Sequence, residues 1–259
     1  MESIHHKSEQ MADAQVMQWP LVPSSVPVIS ISIVYLYIIY FAGPRFMKDR
    51  KPYSLKTFIQ CYNIFQVITN FLLIYNTVIF GKPFSAIWRF CDSFDEICGR
   101  DGIEKQLEIL WWALLLKIVD LIETIVFVLR KKSQQVSFLH TYHHVSTVMY
   151  VWSILRYFVH SFSMVLIMLN CSVHVIMYSY YYLSTYGSHV QQKILPFKKW
   201  ITILQMAQIA ILTIVPLQGL VFKCNSTTTL FPIITFFNGV INLSFFWNFF
   251  TSYKKLKAV

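Results

Sequence analysis

Three histidines, His140, His143 and His144, lie within one short segment of the chain. In an α-helix the residues i, i+3 and i+4 share one face, so this spacing predicts three imidazoles that project together. Imidazole can serve as a base, a nucleophile or a metal ligand near neutral pH. Structural histidines at a helix end are the alternative. Because ionisable groups in apolar helices are costly, we favour a functional cluster.

A second polar stripe is predicted on one face of a later apolar helix, where the spacing is four, four and three residues. Its members are Asn170, His174, Tyr178 and Tyr181. Tyrosines near helix ends often form only an interfacial belt, and we interpret Tyr180 and Tyr182 in that way. Asn170 and His174 lie deeper in the apolar run, which favours a role in a site.

Two further helices carry polar groups. The first has Lys117, Asp120, Glu123 and Thr124, and the second has Gln205 and Gln208. A structural ion pair between Lys117 and Asp120 and amide contacts between helices are the alternatives, since both occur without any chemistry. Glu123 lies about 120° around the helix from Lys117.

Clustered histidines in a membrane helix suit two kinds of chemistry. A di-iron site needs about eight nitrogen ligands, because such sites depend on imidazole. The chain has 8 histidines, but His5 and His6 lie in the N-terminal tail and His160 and His189 in predicted loops. The remaining four are too few, so we expect no metal. The alternative is histidine acting as base or nucleophile toward an acyl group.

The elements that must position these residues are predicted to cross a membrane. Hydrophobic residues make up 56% of the chain and charged residues 13%, against about 25% charged in globular proteins. Apolar runs of about 20 residues are long enough to span a bilayer. They occupy 26–42, 57–80, 108–129, 137–158, 162–183, 200–221 and 231–251. The fold class is therefore all-α integral membrane, with seven transmembrane helices in residues 26–252.

Lysine and arginine predict the orientation, because cytosolic loops are enriched in them. Segments 43–56, 130–136, 184–199 and the C-terminal tail carry twice as many basic residues as the segments on the other side. We therefore expect residues 1–25 to be lumenal and residues 253–259 to be cytosolic. The net charge of +10 is spread over these flanks, which indicates contact with membrane lipid and no nucleic acid partner.

Four motifs together resemble the membrane fatty acid elongases, and the match covers residues 30–257 in order. They are Lys117-x-x-Asp120-x-x-Glu123-Thr124, Leu139-His140-Thr141-Tyr142-His143-His144, Asn170-x-x-x-His174-Val175-Ile176-Met177-Tyr178-Ser179-Tyr180-Tyr181 and Thr202-x-x-Gln205-x-x-Gln208. The four motifs resemble those of the animal branch of this family, which lengthens very long chain fatty acids. The first motif usually reads Lys-x-x-Glu-x-x-Asp-Thr, so the two acids are exchanged here and their separate roles are left open.

The resemblance implies an acyltransferase of the endoplasmic reticulum membrane, with six of its helices forming a barrel around an acyl tunnel. Such a 3-oxoacyl-CoA synthase condenses a long-chain acyl-CoA with malonyl-CoA, releases CO₂ and CoA, and needs no cofactor. This first step of fatty acid elongation also supplies sphingolipid precursors. A basic cytosolic opening should bind CoA phosphates. The candidates are Arg130, Lys131, Lys132, Lys198 and Lys199. Chain length and unsaturation preference are left open.

For the mechanism, we expect His143 and His174 to face each other across the tunnel. His143 would be acylated transiently, while His140 and His144 fix its geometry and protonation. Asn170, Gln205 and Gln208 could hold a thioester carbonyl or an enolate oxygen. Direct condensation in a ternary complex is the alternative mechanism, and a transporter or lipid-binding protein is the alternative class.

The lumen is oxidising, so cysteines expected there are candidates for a disulfide. We predict that Cys224 pairs with Cys91, with Cys98 as the alternative partner.

Lys255 and Lys257 resemble a C-terminal dilysine retrieval signal, and a merely basic tail is the alternative. Other enzymes of the elongation cycle and a second copy of the chain are the expected protein partners.

Overall fold

The computed structural model describes residues 17–92, 94–157, 159–222 and 226–258, apart from the side chains of 94–95, 100–101, 226–229 and 252–258. Within this part of the chain all regular structure is helical. The seven long helices are α1 Ser25–Tyr37, α2 Lys56–Gly81, α3 Arg100–Leu129, α4 Phe138–Tyr157, α5 Ser163–Leu183, α6 Phe197–Ile214 and α7 Ser226–Ala258. They fall into two compact units, each described separately below.

The first unit contains α1, α3 and α4. A π-helical turn, Ile38–Ala42, continues α1 into the short helix Gly43–Met47. At Gly43 an added Cβ would lie 2.7 Å from Val128 Cγ1, so glycine lets the end of α1 approach α3 closely. The Tyr40 hydroxyl donates to Thr141 Oγ1 of α4 at 3.1 Å. These contacts bring α1 against both helices that carry the candidate site of this unit.

The second unit contains α2, α6, α7 and nearly all of α5. Helices α2 and α5 run antiparallel. Gln60 Nε2 donates to Thr185 Oγ1 just after α5, and at the other end of α2 a Cβ on Gly81 would lie 2.7 Å from Met164. A Cβ on Gly239 of α7 would overlap Thr213 of α6, so these two helices are also in close contact.

Five helical segments in the described residues are long and apolar enough to cross a membrane: Ser25–Met47, Lys56–Gly81, Ser163–Tyr186, Phe197–Val221 and Leu230–Thr251. They correspond to five of the seven predicted spans. Helices α3 and α4 form where predicted, but they do not meet the same criterion. Their charged residues and histidines lower the mean hydropathy, and these are the residues of the candidate site. Seven crossings and a six-helix barrel stay predictions.

Two helices extend beyond their predicted apolar runs. Residues 81–107 contain the short helices Pro83–Trp88 and Phe94–Cys98, and α3 already begins at Arg100. Helix α7 continues into residues 253–259 as far as Ala258. Hydropathy detects only the part of a helix that suits lipid, so the polar extensions were not predicted, and the limits of the membrane spans stay predictions. The side chains of Lys255 and Lys257 lie outside the described residues.

Candidate functional site

Helix α3 buries a row of polar side chains in the first unit. Its members are Lys117, Asp120, Glu123 and Thr124, and all four are buried. Lys117 Nζ donates to Asp120 Oδ2 at 2.9 Å, so the ion pair at i, i+3 that was considered as the structural alternative is present. An isolated buried charge is costly, and the pair compensates each charge with the other.

Ser137 starts α4 and thereby positions the histidines. Its Oγ accepts a hydrogen bond from the backbone N–H of His140 at 3.2 Å, which is the geometry of an N-cap. His140, His143 and His144 therefore occupy the first turns of α4.

A chain of hydroxyl groups connects α1, α3 and α4. The Tyr35 hydroxyl donates to Thr124 Oγ1 at 2.8 Å, and Thr124 Oγ1 lies 2.9 Å from His140 Nε2. The rings of His140 and His144 are 4.2 Å apart between centroids. Glu123, His140 and His144 each offer a ligand atom, and these three atoms lie within 4.8 Å of one another. The structure thus brings His140 and His144 of α4 close to Glu123 of α3.

His143 lies beside this group and is half-buried. Its ring centroid is 6.0 Å from that of His144. Its backbone carbonyl accepts hydrogen bonds from the Ser146 and Thr147 hydroxyls, two and three positions beyond the histidine motif. The three histidines therefore form one cluster in which His140 and His144 are the members nearest to Glu123.

Two imidazoles and one carboxylate could also bind a single metal ion, since zinc and iron accept such donor sets. The histidine count excludes only a two-metal centre, and the proximity of Glu123 to His140 and His144 could not be read from spacing. The same carboxylate can equally orient and polarise imidazoles without metal. The expectation of a metal-free site stays a prediction.

In the second unit, His174 and Tyr178 are both buried on α5. Their ring centroids are 5.6 Å apart, and Tyr181 lies 6.0 Å beyond Tyr178. The predicted stripe is therefore continuous along α5. His143 belongs to the first unit and His174 to the second, so their facing each other stays a prediction.

Helix α6 adds Gln205, whose Nε2 lies 3.4 Å from Met177 Sδ on α5. This contact brings Gln205 next to the residue that precedes Tyr178 in the chain. Asn170 and Gln208 are half-buried in the same unit. Cys171 is buried on α5 and is a thiol.

The predicted CoA-binding lysines lie at two places. Lys131 and Lys132 are exposed after α3, with Arg130 half-buried beside them. In the second unit Lys198 and Lys199 line a shallow depression at the surface. Thr202, Phe249 and Phe250 complete its wall. A cationic rim above aromatic side chains suits a phosphate attached to an aromatic base.

His160, which was expected in a loop, lies just before α5 and is buried. Its Nδ1 accepts a hydrogen bond from the Phe162 N–H at 3.1 Å, and burial lowers its pKa to about 4.

The cysteines bear on the predicted disulfide. Cys91 is disulfide-bonded, and Cys61 and Cys98 are thiols. Cys224 lies outside the described residues, so its pairing with Cys91 stays a prediction.

Sequence reasoning missed a row of buried polar residues on α2. They are Asn63, Gln66, Asn70 and Thr77, whereas Phe65, Ile68, Phe71, Leu72 and Tyr75 are exposed. Spacings of three, four and seven residues place the polar set on one helix face. That pattern is visible in the sequence and could have been recognised beside the histidine motifs.

The sequence model of the ELO family, described as the GNS1/SUR4 family, matches residues 20–258. Very long chain fatty acid elongase 1 of Mus musculus is 32% identical over 259 residues, which is 99% of this chain and 92% of the relative. Very long chain fatty acid elongase 4 of Mus musculus is 37% identical over 199 residues, covering 76% of this chain and 62% of the relative. Very long chain fatty acid elongase 7 of Drosophila melanogaster is 33% identical over 250 residues, covering 95% and 73%.

A chain whose described regular structure is all helical, with several apolar spans and a partly buried histidine cluster, is thus similar over almost its whole length to known elongases. The chain belongs to the ELO family of membrane fatty acid elongases. The predicted resemblance is confirmed.

Proposed function

We propose that this protein condenses a long-chain acyl-CoA with malonyl-CoA to give a 3-oxoacyl-CoA two carbons longer, with release of CO₂ and CoA. The observation that carries this proposal is the partly buried cluster in which Glu123 lies close to His140 and His144 and Thr124 contacts His140. Family membership supports fatty acid elongation, and the cluster supplies the basic nitrogen groups that acyl transfer requires.

In the first step, an imidazole nitrogen of His143 attacks the thioester carbonyl of the acyl-CoA. The carbon–sulfur bond breaks, CoA leaves with its electron pair as a thiolate that takes up a proton, and an acyl-imidazole remains. We assign His140 and His144 a positioning role, since Glu123 lies close to both rings and Thr124 contacts His140. Attack on the thioester requires a neutral imidazole.

In the second step, malonyl-CoA loses CO₂, and the electrons of the broken carbon–carbon bond form an enolate. The enolate carbon attacks the acyl group, the carbon–nitrogen bond to His143 breaks, and the imidazole is regenerated. We assign His174 the task of orienting or polarising malonyl-CoA. Asn170, Gln205 and Gln208 are assigned to the thioester carbonyl or the enolate oxygen, which amide donors stabilise.

The nucleotide end of CoA requires cationic groups outside the membrane. Lys198 and Lys199 at the pocket of the second unit are assigned to it, with Arg130, Lys131 and Lys132 as further contacts. Arginine and lysine differ here, since only arginine binds phosphate in a bidentate manner. This assignment predicts a salt-dependent affinity for acyl-CoA.

A transporter or lipid-binding protein would also bury polar groups among apolar helices, but it would not decarboxylate malonyl-CoA. Microsomes expressing the protein, incubated with labelled malonyl-CoA and a panel of acyl-CoA chain lengths, test the proposal. We expect label in acyl products two carbons longer, above microsomes that express a His143→Ala/His174→Ala variant. Binding of acyl-CoA with no labelled product in any chain length would support the transporter class instead.

We propose that the protein lies in the endoplasmic reticulum membrane with its C-terminus in the cytosol. Enzymes of the later elongation steps and a second copy of the chain would be its partners there. A C-terminal tag in sealed microsomes should be digested by added protease. Replacing Lys255 and Lys257 by serine should release part of the protein from the endoplasmic reticulum. Full retention would contradict the retrieval signal.

For the disulfide, non-reducing peptide mapping should show Cys91 linked to Cys224.

A further inference from the structure

The buried face of α2 is unusual because it is polar. Gln66, Asn70 and Thr77 are 0% exposed and Asn63 is 2% exposed. The opposite face consists of exposed aromatic and aliphatic side chains. Since Lys56–Gly81 is apolar and long enough to span a membrane, these polar groups lie in a part of the chain where water is scarce and unmade hydrogen bonds are costly.

The hydrogen bonds along this row have one direction. Asn70 Nδ2 donates to Gln66 Oε1 at 3.1 Å and to the Gln66 carbonyl at 2.8 Å, and Gln66 Nε2 donates to the Tyr62 hydroxyl at 2.9 Å. Donation thus runs toward the start of α2 and leaves Asn70 Oδ1 as an acceptor. Among the described residues, neither Asn70 Oδ1 nor Asn63 Nδ2 has a hydrogen-bond partner.

The row leads to His174 within the same unit. The Tyr62 ring lies 5.9 Å from that of Tyr178, and Tyr178 lies 5.6 Å from His174. The antiparallel contacts at Gln60 and Gly81 also place Asn70 at about the level of His174 on α5. The unfilled acceptor of Asn70 and the imidazole that we assign to the second substrate therefore belong to one region.

A fatty acyl chain cannot satisfy these groups, because it has neither donors nor acceptors. The pantetheine arm of a CoA thioester has two amides, each with one N–H donor and one carbonyl acceptor. Asn63 and Asn70 are seven residues apart on one face, about 10 Å along the helix axis. One offers a buried donor and the other a buried acceptor, so the pair matches a chain that carries successive amides.

We propose that the polar row of α2 binds the pantetheine arm of a CoA thioester substrate. Asn70 Oδ1 accepts the amide N–H nearer the sulfur, and Asn63 Nδ2 donates to the carbonyl of the farther amide. The assignment rests on the proposed function, since it presumes that CoA thioesters are the substrates. It adds a binding site on α2, which carries none of the histidine motifs.

The test measures equilibrium binding of a long-chain acyl-CoA thioether, which cannot transfer its acyl group, and of the free fatty acid of equal chain length. Asn63→Leu and Asn70→Leu should each weaken thioether binding about three- to tenfold, the effect of one hydrogen bond. Fatty acid binding should not change, because the fatty acid lacks the arm. Asn76→Leu is the matched control, since Asn76 lies on the same helix outside the buried row and its Nδ2 donates to the Leu72 carbonyl of its own helix.

Equal thioether affinity in the wild type and both row variants would overturn the proposal and indicate a hydrated row. Equal loss of fatty acid and thioether binding would also overturn it, because it would mark the row as structural. If either leucine variant unfolds at a lower temperature than the wild type, the same binding measurements are made with Asn63→Ala and Asn70→Ala. A wild type that binds the thioether but elongates nothing would refute the proposed function and leave this result standing.

Discussion

Replacing Thr124 by valine removes one hydroxyl group and nearly preserves the shape of the side chain. Thr124 is buried, and its Oγ1 lies 2.8 Å from the donating Tyr35 hydroxyl and 2.9 Å from His140 Nε2. A hydroxyl that accepts from Tyr35 still has its own hydrogen for His140. This arrangement holds the His140 ring in place, and with Thr124 as the donor Nε2 accepts while the ring proton is on Nδ1.

Valine leaves Nε2 of the half-buried His140 without this partner, and such a loss costs about 1–3 kcal/mol. At about 1.4 kcal/mol for each factor of ten in rate, kcat should fall roughly 5- to 150-fold. KM for acyl-CoA should change little, because we assign His140 to positioning His143 and not to binding the acyl chain.

The assay is elongation of a long-chain acyl-CoA by purified protein, with kcat and KM measured separately. Thr124→Ser is the matched control, since serine retains the hydroxyl and should recover most of the rate. Equal losses in the serine and valine variants would show that the methyl group matters and not the hydrogen bond. A valine variant with wild-type kcat would refute the role given to the hydroxyl chain.

Lys117→Met should lower stability by about 3–5 kcal/mol because it leaves Asp120 buried and unpaired, and thermal unfolding should show the double variant Lys117→Met/Asp120→Leu to be more stable than the single one. Gly239→Ala should cost about 1–3 kcal/mol through overlap with Thr213, and Thr213→Ala should restore part of that loss. Burial lowers the pKa of His160 to about 4, so between pH 4 and about 6.5 the unfolded chain binds more protons than the folded chain. The free energy of unfolding should therefore fall as pH drops from about 6.5 toward 4. The fall should be smaller in His160→Asn. Chelators should leave elongation unchanged, and stoichiometric zinc or iron in active protein would contradict the metal-free mechanism.

Much of the fold was predictable because apolar runs report directly on helices that suit lipid. Five predicted spans coincide with helices that meet the length and composition criterion. Helices α3 and α4 were predicted from weaker runs, and they exist as helices. Their status as membrane spans does not follow from composition, because Lys117, Asp120, Glu123 and the three histidines lower their hydropathy.

The candidate site was predictable only within single helices. Helical periodicity correctly grouped His140 with His144, and Lys117 with Asp120. It could not show that Glu123 approaches both imidazoles, because that proximity depends on how α3 packs against α4. The polar row of α2 was missed for a different reason: its amides and hydroxyl are uncharged, so it lacked the signal that drew attention to the histidines.

The central claim is that the histidine cluster of α4 takes the acyl group from CoA. Purified protein incubated with a long-chain acyl-CoA alone should release CoA in an amount equal to the enzyme. A peptide that contains His143 should gain the mass of the acyl group. Both signals should disappear in His143→Ala and persist in His174→Ala. An enzyme that elongates but frees no CoA until malonyl-CoA is added would contradict the covalent step and favour direct condensation in a ternary complex.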